Sequence, residues 1–239
     1  MDNIVADAMR QGPLEQEHQC DYCNKKFSKE STLVHHMCEP KRRQLQKNEP
    51  GVRIGYSAYL KFYDLAQPGK KKKSYEEFAK SPYYKAFVKY GRWCLSINAI
   101  AIEHFTDWIL RSGIKLDYWC KDKNYDKFLL EFLKKEDVCD ALTRSITTME
   151  KWGQDRNCPF NDYFRYGNAN RICQEISVGK ISPWAIYCSD SGIEWLSNLN
   201  EDQLNSVYEW IDPDAWKKII AKYPEEREWC KQVFDEAGI

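Results

Sequence analysis

Three cysteines and three of the chain's four histidines fall in one short run, HQCDYCNKKFSKESTLVHHMCEPKRR, beginning at His18. Thiolates and imidazoles so grouped point to zinc, which takes four tetrahedral nitrogen or sulfur ligands. Cys20 and Cys23 form a Cys-x2-Cys pair, which supplies two thiolates from one tight turn. Twelve residues then separate Cys23 from His36, enough for a return strand and the start of a helix. Cys38 completes a candidate set of Cys20, Cys23, His36 and Cys38 around one structural Zn2+. Residues at i and i+2 point to different sides of a helix, so His36 and Cys38 share a metal only if the helix ends after His36. Pro40 is placed to enforce that ending. The alternative ligand is His35, which pairs with Cys38 at i,i+3 on one helical face, and His18 is a further spare. Redox chemistry at Cys20 and Cys23 lacks the strand-then-helix setting of a thioredoxin-like motif. A reduced loop that binds nothing is the simplest competing reading.

Phe27 follows Cys23 after three residues, Leu33 follows Phe27 after five, and His36 follows Leu33 after two. In these three ligands and two apolar positions the segment resembles a Cys2His2 zinc finger, as a Cys2HisCys variant. It departs from that family at the fourth ligand, where Pro40 and basic residues stand in place of a second histidine. The His36 spacing from Leu33 favours His36 over His35. The resemblance implies a small ββα module and places Lys29, Thr32 and His35 at the positions that face DNA bases. One finger covers only about three base pairs and needs further contacts to hold DNA.

Such contacts are available downstream. From Lys41 to Lys73 the chain carries Lys41, Arg42, Arg43, Lys47, Arg53, Lys61 and Lys70 to Lys73, opposed only by Glu49 and Asp64. Lys41, Arg42, Arg43 and Lys47 are candidates to track a phosphate backbone, each releasing counterion. Lys70 to Lys73 either join them or form a solvated loop after Pro68-Gly69. From Asp190 onward acids outnumber bases, so a formal net charge of zero conceals a basic front and an acidic rear.

Beyond Ser74 the pattern is helical. Tyr84, Phe87, Val88 and Gly91 recur at three and four residues, as do Ile102, Phe105, Ile109 and Leu110, with Gly113 as a stop. Phe128, Leu129, Phe132 and Leu133 make another stripe. So do Leu142, Ile146, Met149 and Trp152, which Gly153 is expected to end, and Leu204, Val207, Tyr208 and Ile211. Strand-like alternation is confined to Ile181–Tyr187. The expected fold is mainly α, a small ββα-like zinc module followed by a multi-helix domain. The expected order is a flexible acidic leader (1–17), the zinc-finger-like module (18–40), a basic linker with helical segments (41–73) and an α-helical domain (74–239). Tyr83, Tyr84, Tyr90 and Trp93 lie among bases and offer rings for stacking on unpaired bases, but the helical spacing of Tyr84, Phe87 and Val88 reads better as core.

No apolar run approaches the roughly 18 residues of a membrane span, and the N-terminus has no signal-peptide pattern. An intracellular protein without membrane attachment is expected, with the seven cysteines outside the cluster as free thiols. There is no phosphate-binding glycine loop, HExxH or GxSxG, and His104 is the only histidine outside the cluster, with Asp107 three residues on. The strings HHMCEPKRR, GYSAYLKFYDL, SPYYKAFVKYG, SGIKLDYWC and ISPWAIYCSDSG resemble an uncharacterised zinc-finger protein family of large tailed bacteriophages, cyanophages included, which implies a host cytoplasm. The expectation is a non-enzymatic, zinc-dependent accessory protein that binds DNA or RNA in phage replication, transcription or packaging. The alternative is an adaptor whose finger docks a phage or host polymerase, helicase or capsid component. A metal-dependent nuclease is a third class.

Overall fold

The computed structural model describes residues 18–239, so the expected acidic leader at 1–17 lies outside the described residues. The protein is mainly α-helical, and among the described residues the only sheet is a pair of two-residue strands, β1 (His18–Gln19) and β2 (Lys26–Phe27), antiparallel with His18 opposite Phe27. The chain divides into two compact units, one ending at Gly91 and the other running from Arg92 to Ile239.

In the first unit β1 and β2 lead into α1 (Glu30–His35), then α2 (Glu39–Leu45), α3 (Pro50–Ala66) and α4 (Tyr75–Lys80); α5 (Tyr84–Ser96) runs across the division. The expected basic linker is therefore built largely of helices. Pro50 opens α3, where its fixed φ suits a first turn and its missing N–H leaves no orphan donor. Ser74 and Glu77 form a capping box at α4: the Ser74 hydroxyl accepts from the Glu77 amide, and the Glu77 carboxylate accepts from the Ser74 amide.

The core of this unit is a cluster of rings. Tyr59 on α3 packs against Phe78 on α4 and Phe87 on α5, with centroids 5.0 and 5.5 Å apart, and Phe78 meets Tyr84 at 4.8 Å. All four are buried, as is Tyr90, so the spacing of Tyr84 and Tyr90 marks core rather than a stacking platform. The backbones of α3 and α5 come into direct contact. A Cβ on Gly91 would lie 2.1 Å from the carbonyl oxygen of Gly51, and one on Gly55 would lie 2.6 Å from that of Phe87. This close approach packs the first half of α5 onto α3. The composition changes at Ser74, but the aromatic residues beyond it are buried by α3 before it.

The second unit comprises α6 (Ile102–Arg111), α7 (Asp122–Phe132), α8 (Val138–Arg156), α9 (Tyr163–Tyr166), α10 (Ala169–Ser177), α11 (Pro183–Tyr187), α12 (Asp190–Ser197), α13 (Glu201–Ile211), α14 (Pro213–Lys222) and α15 (Pro224–Ala237). Residues of the predicted stripes line its interior, with Met149, Trp152, Val207 and Ile211 buried beside Tyr163, Trp184, Trp216 and Phe234, whereas Tyr208 of the last stripe is exposed. Gly113, at φ 65°, comes after α6 as expected. Gly153 does not end α8. The helix continues to Arg156 and closes on Asn157 in the left-handed conformation, while Gly153 lets the chain pass close, a Cβ there falling 2.7 Å from the Cys158 carbonyl oxygen. The strand-like stretch near Ile181 is the helix α11. Pro183, Trp184, Ala185 and Ile186 are all buried, and a helix covered on every side shows no 3.6-residue period to read.

Because the added methyl would meet backbone and not a side chain able to turn aside, Gly91→Ala is expected to destabilise the first unit by about 1–3 kcal/mol, or more if the helices cannot part. Denaturant unfolding monitored by circular dichroism measures it.

Candidate metal centre

The turn after β1 is set by two backbone hydrogen bonds: the Cys20 amide donates to the Lys25 carbonyl (3.0 Å) and the Asn24 amide to that of Cys20 (2.8 Å). Asn24 takes φ 57°, which asparagine tolerates better than most residues. The turn thereby brings Cys20 and Cys23 together. The opposite side comes from the end of α1. That helix stops at His35, and His36 (φ −68°, ψ 120°) and Cys38 (φ −79°, ψ 162°) are both extended. The unwinding required by the two-residue spacing is present, and Pro40 serves it by opening α2 in its first turn.

One ligand atom from each of Cys20, Cys23, His36 and Cys38 lies within 4.8 Å of all the others. Cys20 Sγ is 3.9 Å from Cys38 Sγ, and Cys23 Sγ is 3.2 Å from His36 Nε2. The edges of a zinc tetrahedron with sulfur and nitrogen ligands measure about 3.5–3.8 Å, so small adjustments admit the ion. Three thiols and one imidazole are also the donor types of structural zinc. Phe27 packs against the ligand ring, its centroid 4.7 Å from that of His36. His35, the alternative ligand, is exposed and not one of the four; His18, half-buried on β1, is not one of them either.

Electrostatics favour a cation here. Burial raises the Cys20 thiol, but hydrogen bonds from the amides of Tyr22 and Cys23 and from neighbouring thiols bring it below its ordinary value. At Cys23 the Lys25 amide lowers the thiol, but burial and the adjacent Cys20 and Cys38 outweigh it and the net shift is upward. The thiols thus oppose one another's ionisation, as like charges must, and a divalent cation among them removes the conflict.

The other candidate residues lie on α1 and α2 and just beyond them. Lys29 stands at the N-cap of α1, and Lys29, Thr32 and His35 are exposed. Arg42 is exposed on α2, and Lys47 is exposed with its ammonium 5.2 Å from the Tyr75 ring centroid. Lys41 is half-buried and donates to the carbonyl of His36 at 3.2 Å, which ties α2 to a ligand residue. Arg43 is engaged within the unit. Its guanidinium donates to the Ala79 carbonyl (2.6 Å), bonds Glu39 and lies 4.4 Å from the Tyr84 ring centroid, while its own carbonyl accepts from the Tyr75 hydroxyl (2.7 Å). No local sign of that role exists in the sequence, because Ala79 and Tyr84 are distant in the chain. Among the described residues no two cysteines form a disulfide and no helix is long and apolar enough to cross a membrane.

Fold and site together define a mainly α-helical protein with a three-thiol, one-imidazole cluster near its N-terminus. The chain matches no protein-family profile, and no curated protein or solved structure is significantly similar to it.

Protein purified without chelator should contain about one zinc per chain. Cys20→Ser or Cys23→Ser should abolish that content, and His36→Ala should lower it far more than His35→Ala. The reverse order for the two histidines, measured by elemental analysis, would transfer the fourth ligand to His35.

Proposed function

We propose that this is a non-enzymatic, zinc-dependent nucleic-acid-binding accessory protein. One observation carries the reading: the charge asymmetry of the sequence coincides with the division into units. Residues 18–91 hold sixteen Lys and Arg against seven Asp and Glu, whereas residues 92–239 hold nineteen against twenty-five. Basic residues concentrated in one small domain are the electrostatic footprint of a polyanion binder. The zinc module fixes α1 and its exposed Lys29, Thr32 and His35. Arg42 and Lys47 extend the basic surface, while Arg43 and Lys41 hold the helices that present it. The zinc is structural, and no catalytic step is assigned. The resemblance of several strings to a tailed-phage family suggests replication, transcription or packaging in a bacterial cytoplasm as the setting.

A second reading, the protein-docking adaptor, draws on a different observation. Tyr22, Val34 and Met37 of the zinc module and Leu45 of α2 are large apolar side chains at least 46% exposed, unusual for a surface that meets only phosphate.

Fluorescence polarisation with duplex DNA and with RNA over a salt series separates the two. A binder of phosphate backbone loses affinity steeply as salt rises. Replacing Lys29, Arg42 and Lys47 together by Gln should lower the log–log salt slope by up to about three units. Arg43 is left intact, because its loss would disturb the fold. A wild type that binds neither polymer at low salt, yet captures a defined polymerase, helicase or capsid protein, would favour the adaptor.

A further inference from the structure

Beyond the zinc module, the first unit contains a pocket that the metal site does not account for. The last two turns of α3 and the Lys70–Lys73 run after it enclose about 170 Å3, with Leu60 and Tyr63 among the lining residues. The run is folded back rather than loose. Gly69, at φ 80°, turns the chain, and the Tyr56 hydroxyl donates to the carbonyl of Lys73 at 2.9 Å. Lys73 is committed: its ammonium pairs with Glu77 at 2.8 Å and lies 5.7 Å from the Tyr63 ring centroid. The ammonium groups of Lys70, Lys71 and Lys72 are exposed, and no hydrogen bond or salt bridge holds them among the described residues. Asp64 is the one acid in the lining.

A lysine run that serves only to be solvated needs neither an anchored return nor an apolar floor. Cations around a leucine and an aromatic ring suit a ligand that is planar and apolar in one part and anionic in another. A nucleotide has that chemistry. It must be unpaired, because in a duplex the base faces are stacked and out of reach, whereas single strands lay bases on aromatic side chains beside a cationic track.

We infer that this pocket seats one unpaired nucleotide of a single strand, with the base against Leu60 and Tyr63 and the flanking phosphates among Lys70, Lys71 and Lys72. The inference rests on the nucleic-acid reading above and adds the strand state and the subsite to it.

The test uses the full chain, zinc-loaded, with a short fluorescent oligothymidylate, a duplex of equal length, and inorganic triphosphate as competitor. Single strand should bind more tightly than duplex. Joint replacement of Lys70, Lys71 and Lys72 by Gln should weaken single-strand binding about tenfold or more and duplex binding less. Tyr63→Leu should do the same, with a loss of about fivefold or more from the missing stacking. Leu60→Ala is the second probe of the floor if circular dichroism shows that Tyr63→Leu fails to fold. Equal loss for single strand and duplex in the lysine variant, with no loss in either floor variant, would overturn the inference, since the lysines would then be general phosphate contacts. Competition by triphosphate as effective as by unlabelled oligothymidylate would overturn it too, because no base would be read. The two readings fail separately. Duplex and RNA binding that falls with Lys29, Arg42 and Lys47 but ignores every pocket variant removes the pocket alone. Oligothymidylate binding that depends on the pocket residues but ignores Lys29, Arg42 and Lys47 removes the assignment of the zinc module and keeps the pocket.

Discussion

Residues 18–38 do not bury enough side chain to hold their own shape. Cys20 is the only fully buried residue among them; Phe27, Leu33 and His36 are half-covered, and α1 has no buried position. Fully burying one large apolar side chain contributes about 1.5–3 kcal/mol, whereas a structural zinc contributes about 10–16 kcal/mol in finger-sized peptides. A metal held by the four gathered donors would therefore be the interaction on which this part of the chain depends. Every local feature serves that gathering: the left-handed Asn24, the end of α1 at His35 and the extended backbone through Cys38. A metal held there would also fix the start of α2, since Cys38 is the N-cap of that helix and Lys41 reaches back to the carbonyl of His36.

From α2 onward a different constraint takes over. The first unit is closed by helices whose backbones touch, and only glycine permits that approach. Gly55 and Gly91 set the separation of α3 and α5, Gly91 lying against the carbonyl oxygen of Gly51; the rings of Tyr59, Phe78 and Phe87 fill the space beside it. Arg43 joins this packing from α2 through Ala79 and Tyr84. The basic surface is thus carried on a frame with the Cys20, Cys23, His36 and Cys38 cluster at one end and a glycine-lined crossing at the other.

Distance along the chain decides how much of this is legible in the sequence. The cluster of Cys20, Cys23, His36 and Cys38 is readable because a Cys-x2-Cys turn and a short helix are local, and because Pro40 signals where the helix must give way. The mainly α-helical fold is readable because each amphipathic stripe repeats within a few turns. The packing of α3 against residues beyond Ser74 is not, since a composition change carries no information about which side chains cover which. Arg43 looks like its neighbours Lys41 and Arg42 because a basic run does not announce which member will turn inward. Gly153 reads as a stop because a glycine in a helix marks either an end or a close approach, and only the fold shows that Cys158 supplies the approach. The aromatic side of the lysine pocket is hidden for a similar reason: it forms only once Gly69 folds the run back onto α3.

The unequal sharing of charge between the two units has a consequence for how copies of the protein behave toward one another. With no net charge at neutral pH, nothing general keeps molecules apart, while the basic unit of one copy attracts the acidic unit of the next. Such attraction is strongest in dilute buffer and is screened over about 10 Å at 0.1 M salt. The protein should therefore dissolve more readily as salt is added, the reverse of what a strongly charged protein does. Carboxylates of a neighbouring copy are also a polyanion, and they compete for the same lysines and arginines that a phosphate chain would use. On the nucleic-acid reading proposed above, the acidic unit would then act as a decoy at high protein concentration, displaced only by a ligand with a denser row of charges.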